Sequence, residues 1–171
     1  LLFWTAYLFW FVQSGFVFNE TGLLLLNIAQ GLAVLEIVHT VLKWVKSPIG
    51  STVAQVSSRL LVLVLIHFFI RDTDPPLTTY YGIVIVSFAW SITELVRYSF
   101  YFLSLLNIEF YHLLWMRYSF FILLYPLGVT GEWLIITHPI IKIGLQLTLY
   151  NCFAALLALT YLYYFPVLYG Y

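Results

Sequence analysis

Apolar runs of about twenty residues, the length of helix that crosses bilayer hydrocarbon, recur along this chain and constrain its fold more than any other feature. They are Leu1–Phe18, Leu23–Trp44, Ser51–Ile70, Leu77–Leu106, Tyr111–Ile136 and Ile143–Phe165. Short polar breaks separate them: Asn19-Glu20-Thr21-Gly22, Lys46-Ser47-Pro48 and the loop RDTDPP at 71–76, with Pro166 stopping the last run. The third run is polar in its first half, AQVSSR, and the fifth is interrupted at Pro126. Within lipid, only helices and closed barrels satisfy their own backbone hydrogen bonds. Barrel strands alternate polar and apolar residues, whereas these runs are continuous. Only 8% of the residues are charged and 63% are hydrophobic, against about 25% charged in a soluble domain. The expected fold is all-α, a polytopic membrane protein in which residues 1–171 form a single bundle of six transmembrane helices without internal repeat.

Several functions are disfavoured at once. The formal net charge is zero, so there is no electrostatic case for nucleic-acid binding. Cys152 is the single cysteine, which excludes an internal disulfide and a cysteine-cluster metal site. Its setting, YNCFAALLAL, reads as that of a small buried hydrophobe. His39, His67, His112 and His138 lie in four different segments with no HxxxH or HExxH spacing. They read as hydrogen-bonding or interface histidines rather than metal ligands. No nucleophile elbow, dinucleotide fingerprint or P-loop is present, and Cys152 lacks the arginine of a cysteine-phosphatase loop. With both ends cytoplasmic, Lys43 and Lys46 put their loop on the cytoplasmic side and RDTDPP on the other, although Lys142 opposes this. The sequence starts at Leu1 rather than Met and ends at Tyr171 with no polar tail, so both natural termini are expected to extend further. A targeting or retrieval signal there would be invisible.

The ionisable residues within the apolar runs carry more information. They are Glu36, Arg59, Glu94, Arg97, Arg117 and Glu132. Charge at the bilayer centre costs at least about 2.5–3.5 kcal/mol per residue, so such groups face the bundle interior, pair with one another and mark function. The simpler role is an ion pair that locks helices together, or a side chain that reaches the interface, and Arg117 at the start of its helix suits that role. Glu94 and Arg97 share a face at i, i+3. Glu36 and His39 are similarly spaced, with Lys43 a turn further, and Gln55 and Arg59 are i, i+4.

One stretch, LLYPLGVTGEW at 123–133, holds a phenol and a carboxylate together. Tyr125, Gly128 and Glu132 fall within about one 60° sector of a helix, with Tyr125 and Glu132 about 10 Å apart along the axis. Pro126 removes a backbone hydrogen bond and invites a kink, and Gly128 leaves bare backbone between the two groups. A kink without chemistry is the plainer alternative, since membrane helices often carry Pro and Gly. A phenol and an acid facing one cleft suit acid–base catalysis: proton abstraction beside a carbonyl with protonation of a β-hydroxyl eliminates water. That chemistry requires no metal and no redox cofactor.

Three segments together, KSPIGSTVAQVSSRLL at 46–61, AWSITELVRYSFYFLSLL at 89–106 and RYSFFILLYPLGVTGEW at 117–133, carry a resemblance. They resemble the 3-hydroxyacyl-CoA dehydratases of very-long-chain fatty acid elongation, the family also called protein-tyrosine-phosphatase-like. The motif resemblance covers most of residues 30–135, and the ends match only as hydrophobic spans. It implies a six-span endoplasmic reticulum enzyme that converts long-chain 3-hydroxyacyl-CoA to trans-2-enoyl-CoA. It also implies a catalytic pair at Tyr125 and Glu132, and supporting roles for Glu36, Gln55, Arg59, Arg97 and Gly128. Family members usually have more sequence before the first span and a basic cytoplasmic tail, and neither stands here.

The expected mechanism puts the thioester near Gly128, with Glu132 taking the C2 proton and Tyr125 protonating the departing C3 hydroxyl; the opposite assignment is open. Arg59 or Arg97 would fix the charge of Glu132, and Gln55 would hold the thioester oxygen or the substrate hydroxyl. Lys43 and Lys46 are candidates for the CoA phosphates, beside a simpler role as positive-inside anchors. Expected partners are the long-chain 3-hydroxyacyl-CoA substrate, membrane lipid, and elongase-cycle enzymes or a larger membrane complex. The competing class is a catalytically silent dehydratase-like subunit of such a complex, in another organelle membrane. A transporter ranks behind both, because no repeated halves with paired broken helices are visible.

Overall fold

The computed structural model describes residues 1–17, 19–42, 49–70, 77–108 and 110–137, together with Cys152, Ala155, Leu156 and Leu159. The described chain is helical: α1 (Leu2–Gln13), α2 (Glu20–Val41), α3 (Ile49–Ile70), α4 (Leu77–Leu105) and α5 (Tyr111–Ile136). Of these, α2, α4 and α5 are long and apolar enough to cross a membrane, and α3 contains a shorter apolar stretch among the described residues, Gln55–His67. Six spans were expected, and the sixth, Ile143–Phe165, lies for the most part outside the described residues.

The first expected span is shorter as a helix than as an apolar run. Gly15 stops α1 with a left-handed φ of +67°. The amide of Gly15 then donates to the carbonyl of Val12 and that of Phe16 to the carbonyl of Phe11, both at 3.1 Å. These bonds and the Phe11–Phe16 ring contact, with centroids 5.6 Å apart, make a Schellman end. Asn19 opens the next helix, its side-chain oxygen accepting from the Gly22 amide at 3.1 Å. At twelve residues, α1 is about 18 Å long, short of the hydrocarbon thickness.

The main helix pairings form a closed circuit, α1 to α2, α3, α5, α4 and back to α1. Each helix contributes to one buried cluster, including Tyr7, Leu26, Ile66, Trp90 and Ile135. Two hydrogen bonds pin the circuit: Tyr7 Oη donates to Ser87 Oγ at 2.6 Å, and His67 Nε2 meets Asn27 Oδ1 at 3.0 Å. The outward faces remain apolar, with Phe9, Leu24, Leu123 and Leu127 all exposed. A soluble monomer rarely shows so much apolar surface, and here it is the lipid-facing side. Cys152, expected to be buried, is exposed.

The backbones of α4 and α5 come close together at two glycines. A methyl carbon at Gly131 would stand 2.7 Å from Val86 Cγ2 and 3.0 Å from the Gly82 carbonyl oxygen; one at Gly82 would stand 2.9 Å from the Gly131 oxygen. Small residues at such crossings let membrane helices pack backbone to backbone. Contrary to a break at Pro126, α5 is continuous helix through that residue, and the Thr130 hydroxyl donates to the Pro126 carbonyl at 2.8 Å. Gly131→Ala is expected to cost about 1–3 kcal/mol by overpacking. Gly31→Ala, which meets nothing within 4 Å, should leave stability level or raise it; thermal unfolding in detergent distinguishes the two.

Candidate functional site

One face of α4 carries the polar centre of the bundle. Trp90, Glu94 and Arg97 follow one another at helical spacing, and the first two are buried. Glu94 has no exposed surface and accepts from two guanidinium groups, Arg59 Nη1 of α3 on Oε1 and Arg97 of its own helix on Oε2. Arg97 reaches on through Nη1 to Glu36 Oε2 of α2 at 2.8 Å. The four charges sum to zero and join three helices. A carboxylate out of water needs this compensation, since an unpaired charge in low dielectric is very costly.

The second buried carboxylate is Glu132, 7% exposed, on α5. The indole Nε1 of Trp90 donates to its Oε1 at 2.9 Å across the α4–α5 contact. The same indole ring lies 5.7 Å from the Arg59 guanidinium carbon, within the range of a cation–π contact. The two acidic centres are thereby joined through one aromatic ring. Arg59 and Arg97, which were expected to fix the charge of Glu132, both place their guanidinium groups on Glu94. Glu94 shares α4 with Arg97 and faces Arg59 of α3, and Arg59 also faces the indole that donates to Glu132.

Tyr125 stands two turns before Glu132 on α5. It is half-buried and its ring stacks on Phe121 with centroids 5.0 Å apart. Gly128, between Tyr125 and Glu132, is buried, and its bare face meets Ala89 of α4, where an added methyl would stand 3.6 Å from Ala89 Cβ, in ordinary contact. Gln55 is exposed one turn before Arg59. Arg117 stacks over Phe100 at 4.7 Å and Tyr101 at 5.8 Å, a helix-locking role. Lys43 and Lys46 lie outside the described residues.

Sequence reasoning left Trp90 out of the candidate set and treated Glu94 only as a partner of Arg97. The available signal was their spacing: a tryptophan four residues before an intramembrane acid shares its face. Nothing in the sequence pointed from Trp90 to Glu132 on another helix.

Fold and site define a helical membrane protein with two acids held inside its bundle. The chain belongs to the protein tyrosine phosphatase-like family, PTPLA, whose sequence model matches residues 30–171. The match runs past residue 135, so the run Ile143–Phe165 falls within the family's sequence and is more than a generic hydrophobic span. A very-long-chain (3R)-3-hydroxyacyl-CoA dehydratase of Caenorhabditis elegans is 40% identical over 109 residues, 63% of this chain and 48% of that protein. The dehydratase PASTICCINO 2 of Arabidopsis thaliana is 40% identical over 108 residues, 63% of this chain and 47% of the relative. Dehydratase 2 of Mus musculus is 33% identical over 175 residues, 95% of this chain and 63% of the relative. The chain thus spans about half the length of the first two. No solved structure matches.

Removing one member of the ion cluster strands the others. Glu94→Gln is expected to lower stability by about 3–5 kcal/mol. The Arg59→Leu and Glu94→Leu changes together should cost less than the sum of the two singly. Unfolding of the purified protein in detergent checks both.

Proposed function

We propose that the chain dehydrates long-chain (3R)-3-hydroxyacyl-CoA to trans-2-enoyl-CoA in very-long-chain fatty acid elongation, at the endoplasmic reticulum membrane. The observation that carries this is the buried Glu132, held by Trp90 two turns from a half-buried tyrosine, in a family whose named relatives are dehydratases.

The Glu132 carboxylate takes the C2 proton, the C2–C3 double bond forms, and the C3–O bond breaks. Tyr125 gives its hydroxyl proton to the departing oxygen, which leaves as water. The proton on Glu132 then returns to the Tyr125 phenolate, so the enzyme is restored with no net change. Acid–base pairs of this kind contribute about 10²–10⁴-fold each. An apolar bundle suits the acyl chain, which enters between helices and brings its thioester to the Gly128–Ala89 level of α4 and α5. Gln55 is the candidate donor to the thioester oxygen, and the Glu36–Arg97–Glu94–Arg59 cluster ties together α2, α3 and α4, two of which, α3 and α4, pack against the helix that carries the pair. Lys43 and Lys46 are the candidates for the CoA phosphates, and elongase-cycle enzymes are the partners this reaction implies.

Purified protein in detergent, supplied with 3-hydroxypalmitoyl-CoA, is expected to release the trans-2-enoyl product, detected by mass spectrometry. Tyr125→Phe and Glu132→Gln should each lower kcat about 100-fold or more with unfolding midpoints unchanged. Turnover that survives both substitutions would overturn the assignment of the pair. Absence of turnover by the unaltered protein would favour a silent subunit.

A further inference from the structure

We propose that Trp90 is a positioning residue for Glu132, an inference that rests on the acid–base reading above. An indole has one N–H donor and no acceptor. Trp90 is buried within the main apolar cluster, where an unmade hydrogen bond carries a full desolvation cost. Its N–H donates to Glu132 Oε1 at 2.9 Å, and a hydrogen bond to a carboxylate is stronger than one between neutral groups.

The geometry gives this bond a purpose. The terminal torsion of a glutamate is broad and roughly two-fold, so the carboxyl plane is not set by the helix alone. The indole that grips it is itself immobilised: its ring is packed by the cluster and faced by the Arg59 guanidinium at 5.7 Å. Arg59 in turn is fixed by Glu94. The orientation of the reacting carboxylate is therefore set by a chain of contacts that runs from α5 through α4 to α3. Misplacing a reacting group by about 1 Å is sufficient to slow a reaction by about 100-fold.

The test replaces Trp90 in the full chain with β-(3-benzothienyl)alanine, an isostere in which sulfur stands for the N–H. Trp90→Phe, which also removes the donor, serves as a second variant. For the isostere, kcat should fall about tenfold or more, KM should stay within about twofold, and the unfolding midpoint should be unchanged. Independently of turnover, a hydrophobic carbodiimide should label Glu132 faster in both variants than in the unaltered protein, read by peptide mass spectrometry. Unaltered labelling, an isostere with full kcat, or loss of activity only in proportion to loss of folded protein would each overturn the inference. If the unaltered protein shows no turnover but labelling responds as described, the dehydratase reading fails and the hold of Trp90 on Glu132 stands.

Discussion

A carboxylate with no exposed surface, Glu94, can lie at the centre of this bundle only because two arginines meet it there. The neutralisation is distributed: one guanidinium comes from α3, the other is shared with Glu36 of α2. Three helices are thus committed to a single arrangement by charge, whereas their apolar faces alone would tolerate sliding past one another in lipid. Apolar packing within a bilayer gains little from leaving the hydrocarbon, because lipid tails are as apolar as leucine. Buried ion pairs are poor sources of net stability but impose register, and that is what α2, α3 and α4 need.

Contact between α4 and α5 rests on a different device. Gly82 and Gly131 remove the side chains that would keep the backbones apart, and the hydrogen bond from Trp90 to Glu132 spans the interface. The close approach and the polar bond reinforce each other, since the indole reaches the acid only where the two helices run so close. Trp90 also faces Arg59, so the ionic half of the bundle and the half that carries Tyr125 and Glu132 meet on one ring.

The proposed chemistry draws on this division. A base working beside fatty acyl chains must be kept from water yet not left to wander. Its neighbours supply the first condition, and a rigid donor supplies the second. Separate residues do the structural charge work at Glu94, and a neutral indole N–H meets Glu132. The half-buried setting of Tyr125 places its ring at the boundary between the packed stripe of α5 and its lipid-facing part, where an acyl substrate would arrive.

Much of this was legible from the linear chain. Apolar run length sets the rough extent of the helices because a bilayer demands a minimum length and satisfied backbone groups; α4 and α5 follow the expected runs closely, whereas α2 begins at Glu20, within the expected polar break. The i, i+3 spacing of Glu94 and Arg97 is local geometry, and so is the shared face of Tyr125, Gly128 and Glu132. The early end of α1 was also written in Gly15, though the apolar run masks it. What only tertiary structure decided is which charge meets which: Arg59 is far from Glu94 in sequence and Glu36 from Arg97, and no helical period reports on contacts between helices. The same holds for Trp90, whose partner is chosen by the close approach of Gly82 and Gly131. Periodicity determines which residues share a face, but the identity of the opposing face depends on how helices cross, and that is settled by packing and charge neutralisation in three dimensions.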